Sequence, residues 1–200
     1  MPCYKKYLGN NIATHLMAFK KTSTNLDCLR SRYPFPILAG DYEEAFLRFQ
    51  PTLIILSTIP SQIKPVAENL IMPYAQSLRS RYQPLPLILS FAPSPDVRYF
   101  TDVLGEDVDA FTVLPAMETQ VNGVDCRVLS NTMLTPNPQH PPSADALEKA
   151  TMFLEGLAQV LVVPQRDIMP ILAGKITFHM LDLACQTIPG YSVGDSGQRI

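Results

Sequence analysis

The sequence predicts an α/β protein built on a doubly wound, mostly parallel sheet with a C-terminal helical extension. Three observations carry that reading. Leu53-Ile54-Ile55-Leu56, Leu85-Pro86-Leu87-Ile88-Leu89 and Ala110-Phe111-Thr112-Val113-Leu114 are short apolar runs, each halting at proline and small polar residues. A strand buried on both faces has this near-continuous apolar character, and such strands belong to parallel sheets covered by helices. Strand-like and helix-like segments also alternate through most of the chain, the order that a parallel sheet with crossover helices requires. Finally, the proline cluster at 136–142 precedes one more apolar run and a long helical pattern.

The elements come in chain order. Residues 4–9 form a poor strand, and Asn10 and Asn11 cap a short amphipathic helix over 12–19. Residues 25–29 alternate weakly and read as a strand ending at Arg30-Ser31-Arg32, and 36–40 as a very short one. Asp41 caps a helix over 42–49. The first apolar strand leads into a long helix over about 62–81, and the second into a helix over 96–104 that Gly105 stops. After the third come an Asn122-Gly123 turn and a strand over 125–130. The proline cluster reads as a loop separating the main sheet from the C-terminal elements. Ser143 caps a helix over 144–157, 159–163 form another strand, and 167–187 a helix. The expected organisation is a dinucleotide-binding-like domain over 1–164 and a C-terminal helix and tail over 165–200. Met72, Met117, Met152, Met169 and Met180 read as core filler.

Composition narrows the function classes. The 200 residues are 46% hydrophobic and 17% charged, which marks a globular chain. A formal net charge of −2 offers no electrostatic footprint for nucleic acid. No apolar stretch approaches the ~20 residues of a membrane span, and the N-terminus lacks a signal-peptide core. Cys3, Cys28, Cys126 and Cys185 are far apart and form no CxxC pair, so no metal site is expected. The expectation is a cytoplasmic protein with reduced thiols, acting on a small molecule, with neither nucleic acid nor membrane as partner.

In an open parallel sheet, ligands bind outside the carboxyl ends of the strands. That places Ser57, Thr58, Pro60, Ser90 and Pro115 at a candidate site. Gly9, Asn10 and Asn11 would put backbone N–H groups and a helix start under a pyrophosphate. Arg30, Ser31 and Arg32, read as lying just past the second strand, would meet the adenosine ribose, where a guanidinium accommodates a 2′-phosphate. Asp27 competes, since an acid there selects NAD, but it falls inside the expected strand. The preference is therefore NADP. The bland alternatives are an N-capped helix, a solvated basic turn and hydroxyls that satisfy loop backbone. His15 and His140 read as structural or solvent-facing.

Several phrases resemble the pyrroline-5-carboxylate reductase family, within the wider group that includes the β-hydroxyacid dehydrogenases. Gly9-Asn10-Asn11-Ile12-Ala13 is similar to the family's Gly-x-Gly-Asn-Met-Ala turn. The run from Leu53 to Pro60 resembles its strand ending in Lys-Pro. Leu87 to Ser90 resembles its Ile-Ser strand, and Val113-Leu114-Pro115 its Val-Met-Pro. Phe153-Leu154-Glu155-Gly156-Leu157 with Val160 to Val163 resembles the helix and strand that close its nucleotide domain. The likeness runs from about residue 7 to about residue 185.

The resemblance implies a Rossmann-like fold and an NADP-linked oxidoreductase passing a hydride to a small imine or keto substrate. It places Ser57, Thr58 and Pro60 beside the nicotinamide ribose. Lys175 and His179, four apart on one helix, are similar to the Lys and Asn that supply acid and substrate contact in β-hydroxyacid dehydrogenases. The apolar residues Ile168, Ile171, Leu172, Ile176, Phe178 and Leu183 imply a homodimer. The chain departs from the pattern in three places. Its turn holds one glycine, its third strand ends Pro-Ala-Met-Glu rather than Pro-Asn, and its final helix has Ala-Gly-Lys. Those departures support an alternative, a degenerate binding or assembly module without redox activity.

Overall fold

A computed structural model describes residues 15–40, 43–115, 131–155 and 159–164. A division between Val162 and Val163 bounds the first unit of the chain, to which every element below belongs. The strands are β1 (Ala18–Lys20), β2 (Ile37–Ala39), β3 (Leu53–Leu56), β4 (Leu87–Ser90), β5 (Ala110–Leu114), β6 (Asn131–Pro136) and β7 (Gln159–Val162). β1 and β2 pair in parallel as one sheet, and β3-β4-β5-β6-β7 form another. Within the larger sheet β3, β4 and β5 are parallel, β5 and β6 are antiparallel, and β6 and β7 are parallel. This is the α/β, mostly parallel architecture expected.

Strands β4 and β5 are buried at every position, which is why their sequences are apolar without alternation. Ile54, Leu56, Ile88 and Ala110 point to one side, against Ile63, Ile71, Tyr74 and Phe100. Leu87, Leu89, Phe111, Val113 and Leu134 point to the other, against Ala146, Ala150 and Leu154 of α6 (Ala144–Glu155). Ser143 caps α6 as expected, accepting from the Ala146 N–H at 3.1 Å, and its own hydroxyl donates to Asp109 Oδ2 at 2.9 Å.

The long helix begins at Pro60, where a missing N–H costs nothing in the first turn. It runs as α3 (Pro60–Val66), a π-helical turn (Ala67–Ile71) and α4 (Met72–Ser80). Pro73 has no N–H to offer the carbonyl four residues back, and the chain widens just before it, with the Met72 N–H donating to the Ala67 carbonyl.

Four expectations are corrected. Residues 25–29 are not a strand: Leu26–Arg32 form a helix, α1, with Asp27 in its first turn and Arg30 and Arg32 in its last. Those charges complement the helix dipole. Residues 18–19 are not a helix end but part of β1, because pairing with Ile37–Ala39 outweighs local spacing. The proline cluster does not separate domains. It carries the chain from β6 to α6 on the same sheet, and Asn137 within it is buried, donating to Thr101 Oγ1 at 2.8 Å. Met152 is 55% exposed rather than core. The expected strand over 125–130, the helix over 167–187, the cap at Asp41, and Met117, Met169 and Met180 lie outside the described residues.

The pentapeptide Leu-Arg-Ser-Arg-Tyr occurs twice, at 29–33 and 78–82, closing α1 and α4. In both copies the serine hydroxyl donates to the carbonyl three residues back at 2.9 Å, Ser31 to Cys28 and Ser80 to Ser77. Arg79 then pairs with Asp107 and donates to the Leu104 carbonyl at the end of α5 (Arg98–Leu104), tying two helix ends together.

Gly105 ends α5 at φ 106° and ψ 155°, a region that side chains avoid. A Cβ there would lie 2.6 Å from Arg79 Nη2 and 2.8 Å from Asp107 Oδ1. Gly105→Ala is expected to lower stability by about 1–3 kcal/mol in urea unfolding. An unchanged midpoint would show that the turn relaxes.

Candidate functional site

At the carboxyl ends of β1, β2 and β3 the described residues enclose an open crevice of about 460 Å³. Lys20 and Lys21 come from the end of β1, Gly40 lies just past β2, and Ser57 and Thr58 just past β3. The helical wall is Gln62, Pro65, Val66, Asn69 and Leu70, and Glu43 at the start of α2 (Glu43–Phe49) adds a carboxylate. The lysines are held by neutral acceptors. Lys20 Nζ donates to the Thr24 carbonyl, and Lys21 Nζ to Gln62 Oε1 at 3.0 Å. Neither forms an ion pair among the described residues, so their charge stays available to a ligand. Beside the crevice an apolar cavity of about 280 Å³ shares Ser57, Thr58, Val66 and Leu70 and reaches Phe46 and Phe49.

Aromatic packing holds the crevice open. Phe19 of β1 meets Phe46 of α2 edge-on at 5.7 Å, and Phe46 meets Tyr74 of α4 at 5.2 Å. The Tyr74 hydroxyl donates to the Pro51 carbonyl at 3.2 Å, just ahead of β3. Burial raises the Tyr74 pKa, against a smaller opposing effect from Arg81, so the phenol remains a donor.

The expected residues divide into groups. Ser57 and Thr58 line the crevice and the adjoining cavity. Pro60 opens α3 and is exposed. Ser90 ends β4 fully buried, opposite Thr112 of β5, so its hydroxyl lies within the packed sheet and not on the crevice wall. Pro115 is exposed just past β5. Arg30, Ser31 and Arg32 are on a helix, not at a strand end. Arg30 Nε donates to the carbonyl of Ile37 at 3.1 Å, at the amino end of β2, the end away from the crevice. Arg32 lies 5.9 Å from the Tyr33 ring centroid. Gly9, Asn10, Asn11, Lys175 and His179 lie outside the described residues. Sequence reasoning passed over Lys20 and Lys21, and the available signal was a lysine pair closing a short apolar segment.

A second open groove, of about 490 Å³, lies beside α5 and includes Lys64, Asp96, Arg98 and Tyr99. The Tyr99 hydroxyl donates to Glu68 Oε1 at 2.8 Å, and Lys64 Nζ sits 5.3 Å from the ring centroid. Burial, then the Glu68 hydrogen bond and charge, push the Tyr99 pKa up to about 12. No group of three or more potential metal ligands occurs among the described residues, and no described helix is long and apolar enough to cross a membrane.

No family model and no curated protein matches this chain. Solved structures do. A pyrroline-5-carboxylate reductase from Coxiella burnetii superposes with a TM-score of 0.66 at 18% identity, covering 92% of this chain and 64% of its own. A Plasmodium falciparum pyrroline carboxylate reductase with NADP bound gives 0.57 at 10% identity, covering 86% and 67%. A prephenate dehydrogenase from Aquifex aeolicus gives 0.50 at 11% identity, covering 88% and 64%. The chain thus shares the Rossmann-like α/β fold of these structures, and it spans about two thirds of their length.

Because the folded pKa of Tyr99 lies above the ordinary 10.0, its contribution to stability is present below pH 10 and is lost as pH rises through about 12. Glu68→Gln should bring the Tyr99 titration down toward the ordinary value, read as phenolate absorbance against pH. An unmoved curve would remove Glu68 as a cause.

Proposed function

We propose that this protein is an NADP-linked oxidoreductase that passes a hydride to a small imine or keto substrate. The observation that carries the reading is the crevice at the carboxyl ends of β1 and β3. There two lysines, with no carboxylate partner among the described residues, face a helix wall. We count the expected strand over 4–9 as the first of the fold, which makes β1 the second. In this fold the end of the second strand meets the adenosine ribose, and a cation there accommodates a 2′-phosphate where an acid would select the free hydroxyl. Lys20 and Lys21 therefore replace Arg30, Ser31 and Arg32 in that role. Such a site fits the group: it is open, cationic, and floored by the hydroxyls of Ser57 and Thr58.

We assign Gly9, Asn10 and Asn11 to the pyrophosphate, through their backbone N–H groups. Ser57, Thr58 and Pro60 flank the nicotinamide ribose, and Pro115, exposed just past β5, bounds the site on its far side; Ser90, fully buried at the end of β4, is left out of it. When bound, the nicotinamide supplies the hydride. The chain's part is to orient the substrate and deliver a proton, a role we give to Lys175 with His179 beside it. Residues 165–200 are assigned to dimerisation, on their apolar pattern. Light scattering should then give twice the 22.2 kDa chain mass, and a strict monomer at high concentration would overturn the assignment.

Titration with NADPH and NADH, monitored by nucleotide fluorescence, tests the cofactor. NADPH should bind more tightly. Replacing both Lys20 and Lys21 with Ala should weaken NADPH by about tenfold or more while sparing NADH, since charge-assisted bonds are worth about 1.5–3 kcal/mol. If neither nucleotide binds at millimolar concentration, the reading fails.

A further inference from the structure

We propose that Asn69 reads the base of the nucleotide, selecting a 6-aminopurine. The inference rests on the cofactor reading above and extends it to the crevice's helical wall. Along that wall Pro65, Val66 and Leu70 present an apolar strip against which a flat base can lie. Gln62 is committed, its Oε1 accepting from Lys21. Asn69 is not: it is exposed, lines the crevice, and its carboxamide makes no hydrogen bond among the described residues.

The π-helical turn holds this arrangement. Ala67, Leu70 and Ile71 are buried in it, and Glu68 and Asn69 are left outside. Glu68 is taken up by the Tyr99 hydroxyl, so Asn69 is the polar side chain of the turn that remains for a ligand. A carboxamide offers a donor and an acceptor side by side. Adenine presents the complement, an N6 amino donor beside the N7 acceptor, and Asn engages both at once. A 6-oxopurine presents two acceptors on that edge and leaves the carboxamide oxygen facing another oxygen. With the base on the helix and the phosphate at Lys20 and Lys21, the crevice takes adenosine bearing a ribose phosphate.

The test compares NADPH with its 6-oxopurine (hypoxanthine) counterpart by equilibrium fluorescence titration, in the wild-type chain and in Asn69→Leu. The wild type should bind NADPH about tenfold more tightly than the counterpart, in line with the worth of one bidentate contact. Asn69→Leu should bind the two alike, at the weaker level, with its circular dichroism unchanged. Equal binding of both nucleotides by the wild type overturns the role of Asn69 and leaves the cofactor reading standing. So does discrimination that persists in Asn69→Leu. Absence of NADPH binding overturns both.

Discussion

The crevice depends on one aromatic contact series. Phe46 packs edge-on against both Phe19 of β1 and Tyr74 of α4, and the Tyr74 hydroxyl reaches back to the Pro51 carbonyl ahead of β3. Among the described residues, β1 and β2 share no ladder with the larger sheet, so side-chain packing registers the two sheets. Ring pairs of this geometry are worth about 0.5–1.5 kcal/mol each beyond their buried area. Through them the end of β1, carrying Lys20 and Lys21, stands across from the start of α3, carrying Gln62. The lysine-to-glutamine hydrogen bond closes the same loop at the mouth of the crevice.

The parts of the fold that were legible in the sequence are those where burial dictates residue type. β4 and β5 could be read because both their faces are covered, leaving no position for a polar side chain except Ser90 and Thr112. Gly105 and Ser143 could be read because each satisfies a local backbone requirement. The segment from Leu26 to Arg32 was misread because weak alternation and helical spacing both fit so short a run. The deciding signals, an acid early and arginines late, are dipole effects of at most about 1 kcal/mol. β6 was missed because its threonines interrupt the apolar pattern. Thr112 and Thr135 face each other across the antiparallel pair, a match visible only once the strands are paired.

The site shows the same division. Its hydroxyls, Ser57 and Thr58, come directly after an apolar strand and were found from that strand. The cations expected just past a strand, Arg30 and Arg32, lie instead on α1, because the segment read as that strand is a helix. Arg30 and Arg32 sit where helix C-termini favour positive charge, and Arg30 is spent on the first carbonyl of β2. The repeat of Leu-Arg-Ser-Arg-Tyr at the end of α4, with Arg79 bound to Asp107, shows the same chemistry serving structure. Lys20 and Lys21 close a strand, where no dipole calls for them and no described carboxylate answers them. In this chain the arginines at the helix ends are accounted for by the helices, whereas the lysine pair at the strand end is held only by neutral acceptors among the described residues.

The sheet also limits where chemistry can occur. β3, β4 and β5 present their carboxyl ends on the crevice side, but β6 and β7 run the opposite way and present their amino ends there. Among the described strands, the last to send a loop out on that side is therefore β5. The chain re-enters the sheet at Asn131, the amino end of β6, which pairs with Gln159 of β7. A ligand lying along the strand ends, with its phosphate-bearing part at β1, meets strand-following loops only as far as β5. A proton donor at the reacting end needs a source other than a further strand end.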